Sequence, residues 1–285
     1  MIDHDEIPAF DQVTAIGFAG TEDYDIRYEE ESADTYCPDD VYFAQLDGES
    51  RPLDTGRVDD YLSALSALQL TDYVNYKVTE EELAEYGLDA PELTVTVTYT
   101  VAADDETEEE GATDTLTLQL GRNAAQVQAA EEAAQQAEAD GDADDEPEEI
   151  PAYARVGESP IVYQITASSY ETLMAAAYDD LRHTEAFTAD FATAYQADLS
   201  LEGEAYTLAR ADAETGADAD EAIWYYGETE VDISGFESAL TALNAETFTA
   251  ETPDDLEEIG LTIYLENDNH PQVTLELYRY DGSSC

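Results

Sequence analysis

Basic residues are almost missing from this chain. Of its 285 residues only 9 are Lys or Arg, against 70 Asp and Glu, and Lys77 is the single lysine, so the formal net charge is −61. Affinity for nucleic acids comes largely from basic side chains that displace counterions from phosphates, and anionic lipid headgroups attract the same side chains. DNA, RNA and direct binding to an anionic membrane are therefore excluded as partners, and weak, non-specific cation association is expected. Cysteine is scarce as well: Cys37 and Cys285 allow at most one bridge, and two unpaired thiols are the simpler reading. Long apolar runs are lacking, with no stretch of about 18 apolar residues to span a bilayer. The opening MIDHDEIPAF has neither a basic region nor an apolar core of the kind that directs secretion. Either the protein is intracellular or an anchor precedes this sequence. There is no Walker loop, no G-x-G-x-x-G, no G-x-S-x-G, no C-x-x-C and no Asn-x-Ser/Thr.

What is present supports a folded protein. Apolar residues make up 43% of the chain, enough for a sizeable core, and 20 tyrosines set it apart from disordered acidic chains, which are poor in aromatics. Such acidity fits either a high-salt interior or exposure outside the cell.

An internal repeat is the clearest organising signal. YLSALSAL from Tyr61 returns as FESALTAL from Phe236, a displacement of 236 minus 61, or 175 positions. A second block follows each copy: Thr79, Glu82, Leu83, Tyr86, Gly87 and Leu88 face Thr252, Asp255, Leu256, Ile259, Gly260 and Leu261. Val58, Tyr61, Leu62, Leu65 and Leu68 recur at helical spacing, as do Ile233, Phe236, Leu240 and Leu243, so both stretches predict a helix with one buried stripe. Thr79 with Glu82 reads as a capping box, and Thr252 followed by Pro253 as another way to start a helix. Gly87 and Gly260 are expected to end these short helices in the left-handed conformation.

Strands are predicted in VTAIGFAG, YDIRYEEE and VYFAQLDG before the first long helix, and in ADLSLEG, AYTLARADA and AIWYYGE before its counterpart. The alternation in LTVTVTYT and TLTLQLG predicts an antiparallel hairpin with one wet face, matched by LTIYLEN and QVTLELYRYDG. The first copy continues through YARV and IVYQIT into a helix carrying Tyr170, Leu173, Met174, Ala177, Tyr178 and Leu181 on one face. The second copy has no such continuation, so the end at Cys285 reads as premature. Residues 123–149 read as an acidic Ala- and Glu-rich insertion, helical at first and then, in DGDADDEPEE, a solvated loop.

Candidate chemistry is sparse. His4, His183 and His270 are spread without metal-ligand spacing and read as packing or surface residues. Asp140, Asp142 and Asp144 alternate like the opening of a calcium loop, but Asp145 stands where the turn needs Gly and Pro151 where a bidentate Glu belongs. Trp224, the only tryptophan, reads as a strand anchor before a ligand platform. No catalytic, cofactor-binding or metal-binding residue is assigned.

LTDYVNYKVTEEELAEYGLDAPELTVTV places an acidic short helix before Tyr86, Gly87, Leu88 and Pro91 and then a Thr/Val strand. With LQLG from Leu118, YARVGESPIVYQI from Tyr153 and LRHTEAF from Leu181, it resembles the family called domain of unknown function 4340, over roughly Val13 to Gly282. The resemblance implies an extracytoplasmic part of a membrane-anchored protein, often associated with ABC-type export or gliding-motility-like systems, with no assigned catalytic residue. The fold expected is α+β, with two diverged repeats of antiparallel sheet packed with helices, over residues 13–187 and 188–285, the second incomplete. The function expected is a non-enzymatic interaction module with an envelope or transporter partner. A solute- or cation-binding module is the alternative, and a hydrolase with unidentified carboxylates ranks third.

Overall fold

A computed structural model describes residues 4–10, 12–35, 37, 39–101, 112–140, 150–201, 203–211, 223–249 and 257–278. The fold is α+β, with two antiparallel sheets and a few helices. By its internal contacts the chain divides into two compact units, Met1–Glu30 with Val41–Arg182, and Glu31–Asp40 with His183–Cys285. The division falls after Arg182, and the excursion between the second and third strands groups with the second unit.

The first unit opens as a four-strand meander, β1 (Gln12–Gly20), β2 (Tyr24–Tyr28), β3 (Tyr42–Leu46) and β4 (Glu49–Pro52), followed by helix α1 (Thr55–Ser66). After β5 (Asp72–Asn75) come β6 (Leu93–Thr100) and β7 (Thr113–Arg122), helix α2 (Ala124–Asp140), β8 (Ala152–Val156) and β9 (Val162–Ile165), then α3 (Ala167–Met174) and α4 (Tyr178–Leu181). The nine strands lie in the order β4-β3-β2-β1-β6-β7-β8-β9-β5. Strict alternation in β6 sends Leu93, Val95, Val97 and Tyr99 to a buried face and Thr94, Thr96, Thr98 and Thr100 to a wetter one. Across the pair with β7, Thr96 faces Thr117 and Thr98 faces Thr115.

Helix α1 covers the buried face. Asp54 caps it by accepting from the Arg57 amide at 3.2 Å, and Val58, Tyr61, Leu62 and Leu65 go into the core as their spacing predicts. The Tyr61 ring meets Phe18 edge-on at 5.4 Å, and its hydroxyl donates to the Leu173 carbonyl on α3 at 3.0 Å. The single helix expected through Tyr170 to Leu181 is broken in two, with Ala177 extended. Alanine favours helix, but the buried Tyr24 hydroxyl takes the Ala176 carbonyl at 2.8 Å, and Asp180 accepts from the Ala177 amide at 3.0 Å to start α4 afresh. A smaller apolar cluster of Leu83, Leu88 and Val162, with Val78, Tyr86 and Tyr153, gathers beneath the segment that follows β5.

The second unit holds β10 (Ala194–Leu201), β11 (Glu204–Arg210), β12 (Trp224–Tyr226) and β13 (Thr229–Val231), then helix α5 (Ser234–Thr241), β14 (Glu257–Leu265) and β15 (Gln272–Tyr278). Its strand order, β13-β12-β11-β10-β14-β15, runs as β4-β3-β2-β1-β6-β7 does in the first sheet. Even the irregularities coincide: the β1–β6 register shifts between Val13 and Ala15, and the β10–β14 register between Ala194 and Gln196. The helix ends match too, with the Ala67 amide bonded to Leu65 and Ser63, and the Ala242 amide to Leu240 and Ser238. The core here is Phe187, Ala189, Phe191, Ala194, Ala197, Trp224, Leu240, Leu261, Ile263 and Leu265.

The second sequence block is overturned. Thr252, Asp255 and Leu256 lie outside the described residues, but Gly260 sits inside β14, paired with Ser200 and Glu276, and ends no helix. Counting from the shared register shift, Val97 corresponds to Ile263 and Leu93 to Ile259, so Tyr86-Gly87-Leu88 and Ile259-Gly260-Leu261 are not equivalent positions. The likeness of YGL to IGL is a coincidence of short strings. Gly87 itself is left-handed, at φ 69°, but it closes a 3₁₀ turn over Leu83–Tyr86 and not two α-turns. The expected capping box is also reversed in part: Glu82 accepts from both the amide and the hydroxyl of Thr79, at 2.9 Å each.

Candidate functional site

Strand β5 forms one edge of the nine-stranded sheet, paired only with β9 among the described residues. Its register slips at Val74, between Tyr73 facing Tyr163 and Asn75 facing Val162. A bulge re-aims side chains at a sheet edge, and here Tyr73, Val74 and Tyr76 are 41%, 37% and 59% exposed. The Tyr73 ring rests against the buried Tyr163 at 5.5 Å, which fixes one wall of the patch. Tyr73 to Val78 contains no acidic residue and holds Lys77, in a chain where 70 of 285 residues are acidic. Depletion of charge with enrichment of tyrosine is the compositional mark of an interface core. The acid-free run was readable in the sequence; its exposure was not.

A cleft of about 530 Å³ opens in the second unit beside Trp224. Phe191, Trp224 and Ile233 give it apolar walls, and Glu230, Asp232 and Glu237 stand on its rim. Trp224 is buried and stacked on Phe191 at 5.9 Å, the strand anchor expected of it, while still lining the cleft. Arg210, on the same wall, donates to the Ala192 carbonyl at 2.6 Å and pairs with Glu266 at 3.0 Å.

A third constellation lies at the end of β7 and was not foreseen. Arg122 binds Glu92 through two nitrogens, at 3.1 and 2.9 Å, and the Tyr170 hydroxyl donates to the same carboxylate at 2.7 Å. The guanidinium lies 4.7 Å from the Tyr170 ring centre. Burial alone would raise the Glu92 carboxyl, but the bonds from Arg122 and Tyr170 outweigh it and hold the group below its ordinary value. Burial, with the neighbouring Glu92 carboxylate, pushes the Tyr170 hydroxyl up. Beside this pair the backbones of Gly87 and Gly121 touch: a Cβ on Gly87 would collide with the Arg122 carbonyl oxygen, and one on Gly121 with the Gly87 carbonyl oxygen. Asn123 completes the junction, its side chain accepting from the amides of Ala125 and Gln126 at the start of α2 and donating to the Glu85 carbonyl at 2.8 Å. All the charges here are internally paired, which makes the group a latch joining turn, hairpin and helix.

The histidines do not converge. His4 is half exposed, 3.2 Å from Glu6, and His270 follows the β14 strand end. In the second unit His183 Nε2 lies 2.7 Å from the buried Asp40 carboxylate, and its Nδ1 is 3.8 Å from Glu185, which ties the excursion to the body of that unit. Of the calcium-like series, Asp140 is the last residue of α2, and Asp142, Asp144 and Asp145 lie outside the described residues. Cys285 lies outside them as well. No helix among the described residues is long and apolar enough to cross a membrane.

Neither a curated protein nor a solved structure matches the chain. Residues 45–130, which run from the end of β3 through α1, the Gly87 turn and the β6–β7 hairpin into α2, match the family model described as Domain of unknown function (DUF4340).

Proposed function

We propose that the chain is a non-catalytic interaction module that holds a protein partner. In its full setting it is an extracytoplasmic part of a membrane-anchored envelope or ABC-transporter-associated protein. The observation that carries the binding role is the β5 edge, where Tyr73, Val74 and Tyr76 are exposed on an acid-free stretch. The envelope setting is what the family resemblance implies. The two units are read as diverged copies of one module, supported by the common strand order, the coincident register shift and the matching helix ends. A photo-crosslinking residue placed at Tyr76 should trap one discrete partner in envelope extracts, and the same residue at the exposed Thr115 should not. Equal labelling at both positions, or none at position 76, would remove the reading.

A second reading, solute or cation binding, is favoured by the cleft at Trp224, since an aromatic wall with a carboxylate rim suits an organic cation. Trp224 is the only tryptophan, so intrinsic fluorescence reports this cleft directly. Titration with choline should shift its emission saturably under this reading, and an unchanged spectrum up to 10-millimolar order counts against it.

A further inference from the structure

The two sheets differ at one edge. In the first, β7 is flanked by β8, and Leu116, Leu118 and Leu120 are all buried, the last two fully. In the second, β15 is bonded on one side only among the described residues, and the corresponding Val273, Leu275 and Leu277 are half-buried. The correspondence follows from pairing: Val95 faces Leu118 as Leu261 faces Leu275, and Thr94 faces Gln119 as Gly260 faces Glu276. Native edge strands are usually guarded by charge, proline or a bulge. Strand β15 has seven residues with one charge, Glu276, and no proline.

The first unit records what fits such an edge. On β7 the residue opposite Gln119 is Arg155 of β8, while on the inward face Val156 stands opposite Leu118 and the buried Ala154 opposite Leu120. Set in the same register on β15, an Arg155-like residue would face Glu276.

We infer that the β15 edge is a strand-addition site for an extended segment of a partner protein. That segment carries apolar residues of alanine or valine size on the inward face, as Ala154 and Val156 do on β8, and an arginine or lysine opposite Glu276. Main-chain hydrogen bonds would supply affinity and the alternating side chains selectivity, as in other strand-addition complexes. The inference rests on the two-copy reading and names the chemistry of a partner; it concerns a surface different from β5, so the two fail separately.

The test uses the full chain and a synthetic peptide of residues 150–166, the β8–β9 hairpin, in 0.15 M sodium chloride. Hydrogen exchange of residues 272–278 should slow roughly fivefold or more on saturation, with β5 unaffected. Glu276→Lys, with its fold verified by circular dichroism, should weaken peptide binding about tenfold. A peptide carrying Arg155→Glu should regain that loss on the Glu276→Lys protein. Binding that ignores the charge at position 276 overturns the proposal, as does absence of protection at millimolar peptide. Concentration-dependent self-association that protects β15 without any response to peptide also overturns it, and makes a second copy the occupant. Loss of the Tyr76 crosslink with intact peptide binding would remove the β5 reading alone.

Discussion

Leu118 and Leu275 occupy the same register position in two sheets of the same strand order, yet one is sealed and the other half open. The first unit adds β8, β9 and β5 beyond the shared six strands, packs α3 against α1, and locks the junction with Arg122, Glu92 and two touching glycines. The second has none of these additions among its described residues. Electrostatics divides the units in the same way: seven of the nine basic residues lie in the first, and only Arg210 and Arg279 in the second. A common strand plan thus supports one well-sealed body and one whose edge and charge are less compensated.

The sharpest way to break this comparison is a pair of glycine substitutions. Gly87→Ala should destabilise by about 3 kcal/mol, since the left-handed angle and the collision with the Arg122 carbonyl add together. Gly260→Ala, inside a strand, should change stability by less than about 1 kcal/mol, in the stabilising direction. Equal costs in urea melts would restore the equivalence of the two positions that the strand register denies.

Ion pairs come next. Glu92→Gln should cost about 2 kcal/mol near neutral pH, because it leaves Arg122 partly buried without its charge partner. The folded-state pKa of Glu92 is lowered, so its contribution is present above the unfolded value of about 4.3 and is lost as pH falls through the folded value. The gap between wild type and variant should accordingly close in acid melts. Arg210→Met, removing a pair whose Glu266 is largely exposed, should cost less than about 1 kcal/mol. A loss there above that of Glu92→Gln would mean that the second unit depends on Arg210 more than the first depends on the Arg122 pair.

The smallest effect expected is that of salt. Screening extends over about 30 Å at 0.01 M and about 8 Å at physiological ionic strength, so raising sodium chloride between these should raise the melting temperature by a few degrees. Trp224 fluorescence, which reads the second unit, should respond more than whole-chain circular dichroism. Equal shifts by both probes would show that uneven basic content does not govern stability.

Sequence patterning revealed the elements whose stabilisation is local. The Thr/Val alternation of β6, the stripe of α1 and the strands flanking each helix all stand where side-chain period places them. What escaped was imposed by distant partners. Strands β4, β5 and β13 are three or four residues of mixed polarity, extended because neighbours pair with them. The break between α3 and α4 depends on a hydroxyl more than 150 positions away, on Tyr24. The Arg122–Glu92–Tyr170 group joins three separated segments, and no local spacing announces it. Only the acid-free run Tyr73–Val78 offered a one-dimensional sign of the β5 patch.

The threonine pairs also bear on colloidal behaviour. Thr96 faces Thr117 in one sheet, and Thr262 faces Thr274 at the corresponding place in the other, with their hydroxyl oxygens 3.4 Å apart. Carboxylates opposed across a strand pair would repel, and threonine keeps these facing positions neutral although Asp198 and Glu276 share the second sheet's face and Asp25 the first's. Such a pair keeps its chemistry at every pH, whereas the carboxylates beside it do not. Once acid has discharged the surrounding carboxylates, nothing long-ranged holds two of these flat hydroxyl surfaces apart, and the protein should flocculate in mild acid before it unfolds.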